Sequence, residues 1–274
     1  MITHMDLSRQ GALLSGEYSA DKGVDRFEFM FKSVPGSKNL VINFHPAYGI
    51  GSLKSMPRFY PVPTDENLLS VSDNFFRRIK IEPTEAFHTS KRRISVAGWF
   101  LHLQTVLPGL IRRLKEIHGF EKVIMLGGSS GGFAALYYSF FLEDSVAIAF
   151  NPQTDIAYNL RGLAALGITL GDISDKCTDL NTLYRGGFTN KVIYVVNNMS
   201  LADMQRHTLP FIAGIHNENV ILKADFWGTH NHSGSIPPEE YSLWIKAVCA
   251  AKSTAVTDIS DAYYQLKKGG GDAK

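Results

Sequence analysis

Lys122-Val-Ile-Met-Leu-Gly-Gly-Ser-Ser-Gly-Gly-Phe-Ala-Ala-Leu136 is the stretch on which the reading of the whole chain turns. Val123 to Leu126 is a short apolar run of the kind a buried strand shows. Gly127, Gly128, Ser129, Ser130, Gly131 and Gly132 follow, and then an alanine-containing apolar stretch of helical character. Strand, Gly-x-Ser-x-Gly, helix is the arrangement of a nucleophile elbow, a turn so sharp that residues around the serine must lack side chains. The turn lifts one hydroxyl clear of the sheet edge. The helix N-terminus beneath it offers a backbone N–H and a favourable dipole to an oxyanion.

The motif fits two registers. Gly127-x-Ser129-x-Gly131 makes Ser129 the nucleophile, and Gly128-x-Ser130-x-Gly132 makes it Ser130. The first is preferred, because it sets Gly131 and Gly132 on the first helical turn, where close packing on the strand is needed. Ser130 then follows the nucleophile and supplies its N–H as an oxyanion donor. A plain glycine-serine loop, or one that cradles a phosphate, is the competing reading. The strand before it and the helix after it weigh for the elbow.

Working outward, β-type apolar runs recur at Phe27 to Phe31, Leu40 to Phe44, Leu68 to Val71, Val146 to Phe150, Val192 to Val196 and Val220 to Leu222. Several are continuous rather than alternating, as in parallel strands covered on both faces. Helical patterns lie between them. Leu107, Leu110, Ile111, Leu114 and Ile117 share one face, and Gly119 suits the C-terminal cap. Pro237 and Pro238 can open a late helix whose apolar face holds Tyr241, Trp244, Ile245 and Val248. Strands alternating with helices predict an α/β fold, a doubly wound and mostly parallel sheet. One domain is expected over residues 1–252. Gly49 to Asn67 reads as a surface loop, residues 153–187 as a lid inserted at the sheet's carboxyl end, and residues 253–274 as a polar, partly disordered tail.

A serine nucleophile needs a base, and the base an orienting acid, in the chain order Ser, Asp or Glu, His. The strand Val192 to Val196 leads to Asp203, the natural acid. Its rivals are Asp155, after the strand ending at Phe150, and Asp225, whose competing role is a loop cap; Asp73 reads as a turn former. The strand from Val220 leads to Thr229-His230-Asn231-His232, which places a histidine where the topology demands a base. His232 is preferred to His230, because it lies further along the loop and nearer the Pro237-Pro238 helix start. His4, His88, His118 and His216 have no special context and read as surface residues. A second oxyanion donor should follow an early strand. There the sequence is His45-Pro46-Ala47-Tyr48, and Pro46 has no N–H to give, so Ala47 is the expected donor. His45 and Tyr48 are the expected substrate contacts.

The chain has 274 residues and a net charge of +2, which gives no electrostatic footprint for nucleic acid. Lys91-Arg92-Arg93, with Arg77, Arg78 and Lys80, reads as a solvated face. Cys177 and Cys249 match no metal spacing, and neither a metal nor a cofactor is expected. The polar start MITHMDLSRQG lacks a signal peptide's apolar core, and no run is long enough to span a bilayer. A soluble, cytoplasmic protein is the expectation; nothing sets an oligomeric state.

Taken together, the elbow, the chain order and the His45 loop resemble the α/β-hydrolase superfamily over roughly Asn39 to Ala250. Gly127-Gly-Ser-Ser-Gly-Gly-Phe-Ala-Ala-Leu136 and Phe150-Asn-Pro-Gln-Thr154 resemble a bacterial subgroup of serine-hydrolase-like proteins, several linked to glycan synthesis or secretion. Asp203 with His207 after Asn197-Asn198, and Ala97-Gly-Trp-Phe100, are similar to that group too. The resemblance implies acyl chemistry: ester cleavage through Ser129, Asp203 and His232 on a small-molecule or glycan ester. The alternatives are acyl transfer to a sugar hydroxyl, a peptidase, and a non-catalytic protein that binds a glycan or a partner.

Overall fold

The computed structural model describes residues 3–5, 13–22, 25–49, 59–72, 95–96, 107–155, 179–227 and 236–269. Its strands are β1 (Thr3–Met5), β2 (Gly16–Lys22), β3 (Asp25–Lys32), β4 (Asn39–Phe44), β5 (Tyr48–Gly49), β6 (Asn67–Ser72), β7 (Ser95–Val96), β8 (Lys122–Gly128), β9 (Val146–Phe150), β10 (Lys191–Asn197) and β11 (Val220–Asp225). Nine of them form one sheet in the order β1-β2-β3-β6-β4-β8-β9-β10-β11, and β5 pairs with β7. From β6 to β11 the ladder is parallel. β3 runs antiparallel to β2 and to β6. All seven apolar runs found in the sequence are strands of this sheet.

Two apolar layers cover the sheet, and period-two alternation sorts side chains between them. Leu40, Ile42, Val123, Met125, Ala147, Tyr194 and Val196 face one layer, with Val41, Ile124, Leu126, Ile148, Ile193 and Val195 in the other. Helices α1 (Leu107–His118), α2 (Ser130–Phe140), α3 (Leu180–Arg185) and α4 (Leu209–Ala213) bury their apolar residues in the first layer; α5 (Pro238–Ala250) and α6 (Val256–Gly269) cover the second. This is the expected sheet covered on both faces. In α1, Leu107, Leu110, Ile111 and Leu114 are buried, and Gly119 beyond it takes the left-handed φ of +66°.

Several expectations change. The tail folds: α6 occupies residues 256–269, Ile259 and Tyr263 are fully buried, and Tyr263 stacks on Trp244 at 3.8 Å. A helix with that few apolar residues reads as polar until its single buried stripe meets a partner. Both ends of the expected lid belong to the body. Gln153 and Thr154 are buried, and α3 puts Leu180 and Tyr184 into the core; residues 156–178 lie outside the described residues. His118 is half-buried rather than on the surface. Its Nε2 accepts from the Leu13 N–H at 3.1 Å, its ring stacks on Phe120, and burial lowers its pKa.

Candidate active site

The elbow forms where β8 gives way to α2. Ser129 has φ 57° and ψ −120°, a backbone state that side chains rarely tolerate, whereas Ser130 is already the first residue of the helix. Such strain costs about 1–3 kcal/mol and persists only where the surroundings impose it. Three backbone hydrogen bonds impose it here. The Ser129 N–H donates to Phe150 O at 2.8 Å, and Ser129 O accepts from Gln153 N at 3.1 Å and Phe133 N at 3.2 Å.

The glycines answer to close approaches. A Cβ on Gly127 would lie 2.2 Å from Gly131 O, and one on Gly131 would lie 2.2 Å from Phe44 O. One on Gly132 would meet Pro152 Cβ at 2.8 Å. Strand β8, helix α2, the end of β4 and the segment after β9 therefore close on each other around Ser129 with no room for side chains. Ser129 takes the left-handed turn between strand and helix, and Ser130 lies within the helix. The Ser130 hydroxyl is buried with no hydrogen-bond partner.

The loop after β4 brings His45, Pro46 and Ala47 to the first turn of α2, because Gly131 packs against the carbonyls of Phe44 and His45. His45 is buried, and its Nδ1–H donates to Pro46 O at 2.7 Å. Burial drives its pKa down to about 3, so the ring is neutral at ordinary pH. The ring braces the loop from inside. Ala47 is half-buried against the core, and the side chain of Tyr48 lies outside the described residues.

Asp203 lies past the carboxyl end of β10, two strands from β8, and is buried. It closes a short helical run, Leu201–Asp203, that continues as a π-helix, Met204–Thr208, into α4. Its Oδ2 accepts a 2.5 Å hydrogen bond from Ser200 Oγ. Of its rivals, Asp155 is half-buried and its N–H donates to His207 Nδ1 at 3.1 Å. Asp225 caps its own loop: Oδ1 accepts from the Phe226 N–H and Oδ2 pairs with Lys223 at 2.9 Å. The Lys223 bond, then the Phe226 N–H, hold its carboxyl below the usual range. His230, His232 and Asp73 lie outside the described residues.

Residues 151–155, the Asn-Pro-Gln-Thr motif with the aspartate after it, connect the turn at Ser129 to the helical run that begins at Leu201. Asn151 takes a left-handed φ of 39°, its N–H donates to Val195 O, and its Oδ1 accepts from Asn197 N at 2.8 Å. Gln153 N holds Ser129 O, and Thr154 Oγ1 donates to His207 O at 2.8 Å. One segment thus grips the backbone of Ser129 and the helical run that carries Asp203. His207, fully buried, accepts at Nδ1 and so carries its neutral-state proton on Nε2. The motif is visible in the sequence; its bridging role is not, since each of these bonds spans 24 residues or more.

The site offers a half-buried serine at a helix start and a buried aspartate past the end of β10. Cys249 is no rival nucleophile, because burial above all pushes its thiol up to about 12. Among the described residues, no cluster of His, Cys, Asp and Glu could hold a metal ion, and no helix is long and apolar enough to cross a membrane.

No family model and no curated protein matches the chain. Solved structures do. The chain is similar to the capsule O-acetyltransferase of Neisseria meningitidis serogroup A, with a TM-score of 0.50 and 12% identity over 84% of this chain and 93% of that one. It is similar to a lipase/esterase from Lactobacillus plantarum, with a TM-score of 0.51 and 8% identity over 83% and 95% of the two chains. Likeness at such identities speaks for the fold, which is that of the α/β-hydrolases.

Proposed function

We propose that the chain is a serine hydrolase of carboxylic esters. The observation that carries this reading is the backbone of Ser129, held at φ 57° between strand and helix by bonds from three directions. Strain of this kind is kept where it serves a reaction. A fold shared with a lipase/esterase supports the reading. Ser129 Oγ attacks the ester carbonyl while a histidine of the loop after β11, His232 before His230, takes its proton. Asp203 orients that imidazole and stabilises its charged form. The N–H groups of Ser130 and Ala47 receive the oxyanion, each worth about 3 kcal/mol in the transition state. The imidazolium returns its proton to the departing alcohol. Water, deprotonated by the same histidine, then releases the acid and restores Ser129.

A second reading is acyl transfer, in which a sugar hydroxyl replaces that water. The similarity to a capsule O-acetyltransferase favours it, and the same residues perform both reactions. Product analysis with an acetylated donor, with and without an oligosaccharide acceptor, separates the two.

A fluorophosphonate probe tests the nucleophile. The native chain should label at Ser129. Ser129→Ala should abolish labelling and lower ester turnover by about a millionfold, and Asp203→Asn by about 10⁴. Labelling lost in Ser130→Ala but kept in Ser129→Ala would reverse the register. A folded native chain that does not label would leave the non-catalytic, glycan- or partner-binding alternative.

A further inference from the structure

We propose that Ser200 is a positioning residue for the reaction, setting the rotation and charge of the Asp203 carboxylate. This rests on the serine-hydrolase reading above. Ser200-Leu-Ala-Asp203 has the spacing of a capping box, in which the serine hydroxyl would accept a backbone N–H at the helix start. The hydroxyl does otherwise: it makes no such cap and donates to Asp203 Oδ2 at 2.5 Å. The backbone at Ser200 is secured without it. Ser200 N donates to Asn197 O at 3.0 Å, and Ser200 O accepts from Met204 N at 2.9 Å. Asn197, fully buried at the end of β10, adds Oδ1 as acceptor for Met199 N. The hydroxyl is therefore presented on a rigid turn, and what it acts on is the carboxylate.

Both partners are buried, at 2% and 6% exposure, so the bond works away from water's screening. A hydroxyl that donates to a carboxylate makes a bond of the charge-assisted class. It pins one oxygen, which fixes the plane in which the carboxylate meets an imidazole. It also favours the ionised form. Tyr194 of β10 also bears on this carboxylate, and its buried phenol, raised by desolvation, stays neutral; His207 follows one turn on and accepts from the Asp155 N–H. Ser200 is a donor to this carboxylate from a fixed turn.

The test is the pH dependence of fluorophosphonate labelling and ester turnover in the native chain, Ser200→Ala, Ser200→Thr and Ser200→Cys, with thermal melting alongside. Ser200→Ala should label Ser129 on the order of tenfold more slowly at neutral pH. Its acid limb should move to higher pH, because a carboxylate without its donor binds protons more tightly and also holds the imidazolium's proton more tightly. Ser200→Thr should restore rate and limb, and Ser200→Cys, with a weaker donor, should fall between. A helix-start role alone would lower the melting temperature and leave the limb in place. A labelled native chain whose profile superimposes on that of Ser200→Ala overturns the inference and spares the nucleophile. A native Ser129 that never labels removes both. If Ser200→Ala does not fold, the order of the Thr and Cys limbs decides: native-like for Thr and shifted for Cys supports the inference, and identical limbs sink it.

Discussion

At the residue scale, two serines side by side have opposite fates. Ser129 is forced into a left-handed turn, and Ser130 enters a helix with its hydroxyl buried and unpaired. A buried hydroxyl without a partner stabilises nothing, so Ser130→Ala should be neutral or stabilising, within about 0.5 kcal/mol, and should label normally. Gly131→Ala should behave in the opposite way. Its new Cβ would stand 2.2 Å from the Phe44 carbonyl, and neither backbone can swing aside as a side chain could. We expect a loss of about 1–3 kcal/mol in urea unfolding. Slower labelling should accompany it, as the loop that carries Ala47 is pushed off the elbow. Equal midpoints for Gly131→Ala and the native chain would show that the two backbones part at no cost.

At the element scale, one lysine ties β8 to a distant helix. Lys122 opens β8, and its Nζ donates to the carbonyls of Val248 at 2.8 Å, Cys249 at 3.1 Å and Ala251 at 2.6 Å. Those are the last carbonyls around the end of α5, which have no partners within the helix and carry the negative end of its dipole. Lys122→Met keeps the apolar stem and removes the donors. It should cost about 1–3 kcal/mol, lowering the melting temperature by roughly 2–4 °C per kcal/mol. Activity per folded molecule should be unchanged, since the clamp sits at the amino end of β8 and Ser129 at its carboxyl end. An unshifted melting temperature would mean that water caps the helix as well as the lysine does. The elements missed in the sequence share a cause. β2 reads Gly-Glu-Tyr-Ser-Ala-Asp-Lys, and its polar pattern says strand only once β3 is beside it to pair.

At the scale of the whole molecule, the layers bury a histidine that water would rather protonate. His45 titrates near 6.5 when unfolded and at about 3 when folded. Below pH 6.5 the unfolded chain therefore binds a proton that the folded chain refuses, and stability falls as the pH drops. The full contribution is present above pH 6.5, and the loss should run at about 1.4 kcal/mol per pH unit down towards pH 3. His118 shifts in the same direction through burial and adds to the slope. Denaturant midpoints at pH 7.5, 5.5 and 4.5, compared between the native chain and His45→Asn, isolate the first share. Asn keeps a donor for the Pro46 carbonyl and cannot titrate. Parallel curves for the two proteins would mean that the folded chain takes up a proton at His45 as readily as the unfolded chain does.

What the sequence determined by itself was local or periodic. Apolar runs marked every strand of the parallel core, the face of α1 followed from its spacing, and the glycines announced a turn at Ser129. Each of these is written within a few residues, because strand and helix patterns and turn chemistry are short-range properties. What only the tertiary structure decided was long-range. It turned the polar stretch after Ser253 into a helix, because Tyr263 found Trp244 to stack on. It drew the 151–155 segment between Ser129 and the helical run of Asp203 and His207, through hydrogen bonds to partners far along the chain. It spent the Ser200 hydroxyl on Asp203 rather than on a helix cap. No window of sequence contains both partners of the first two, and in the third the competing local bond has the same spacing. The choice among them is made by packing, which removes water and leaves each buried polar group to the partner the fold brings within reach.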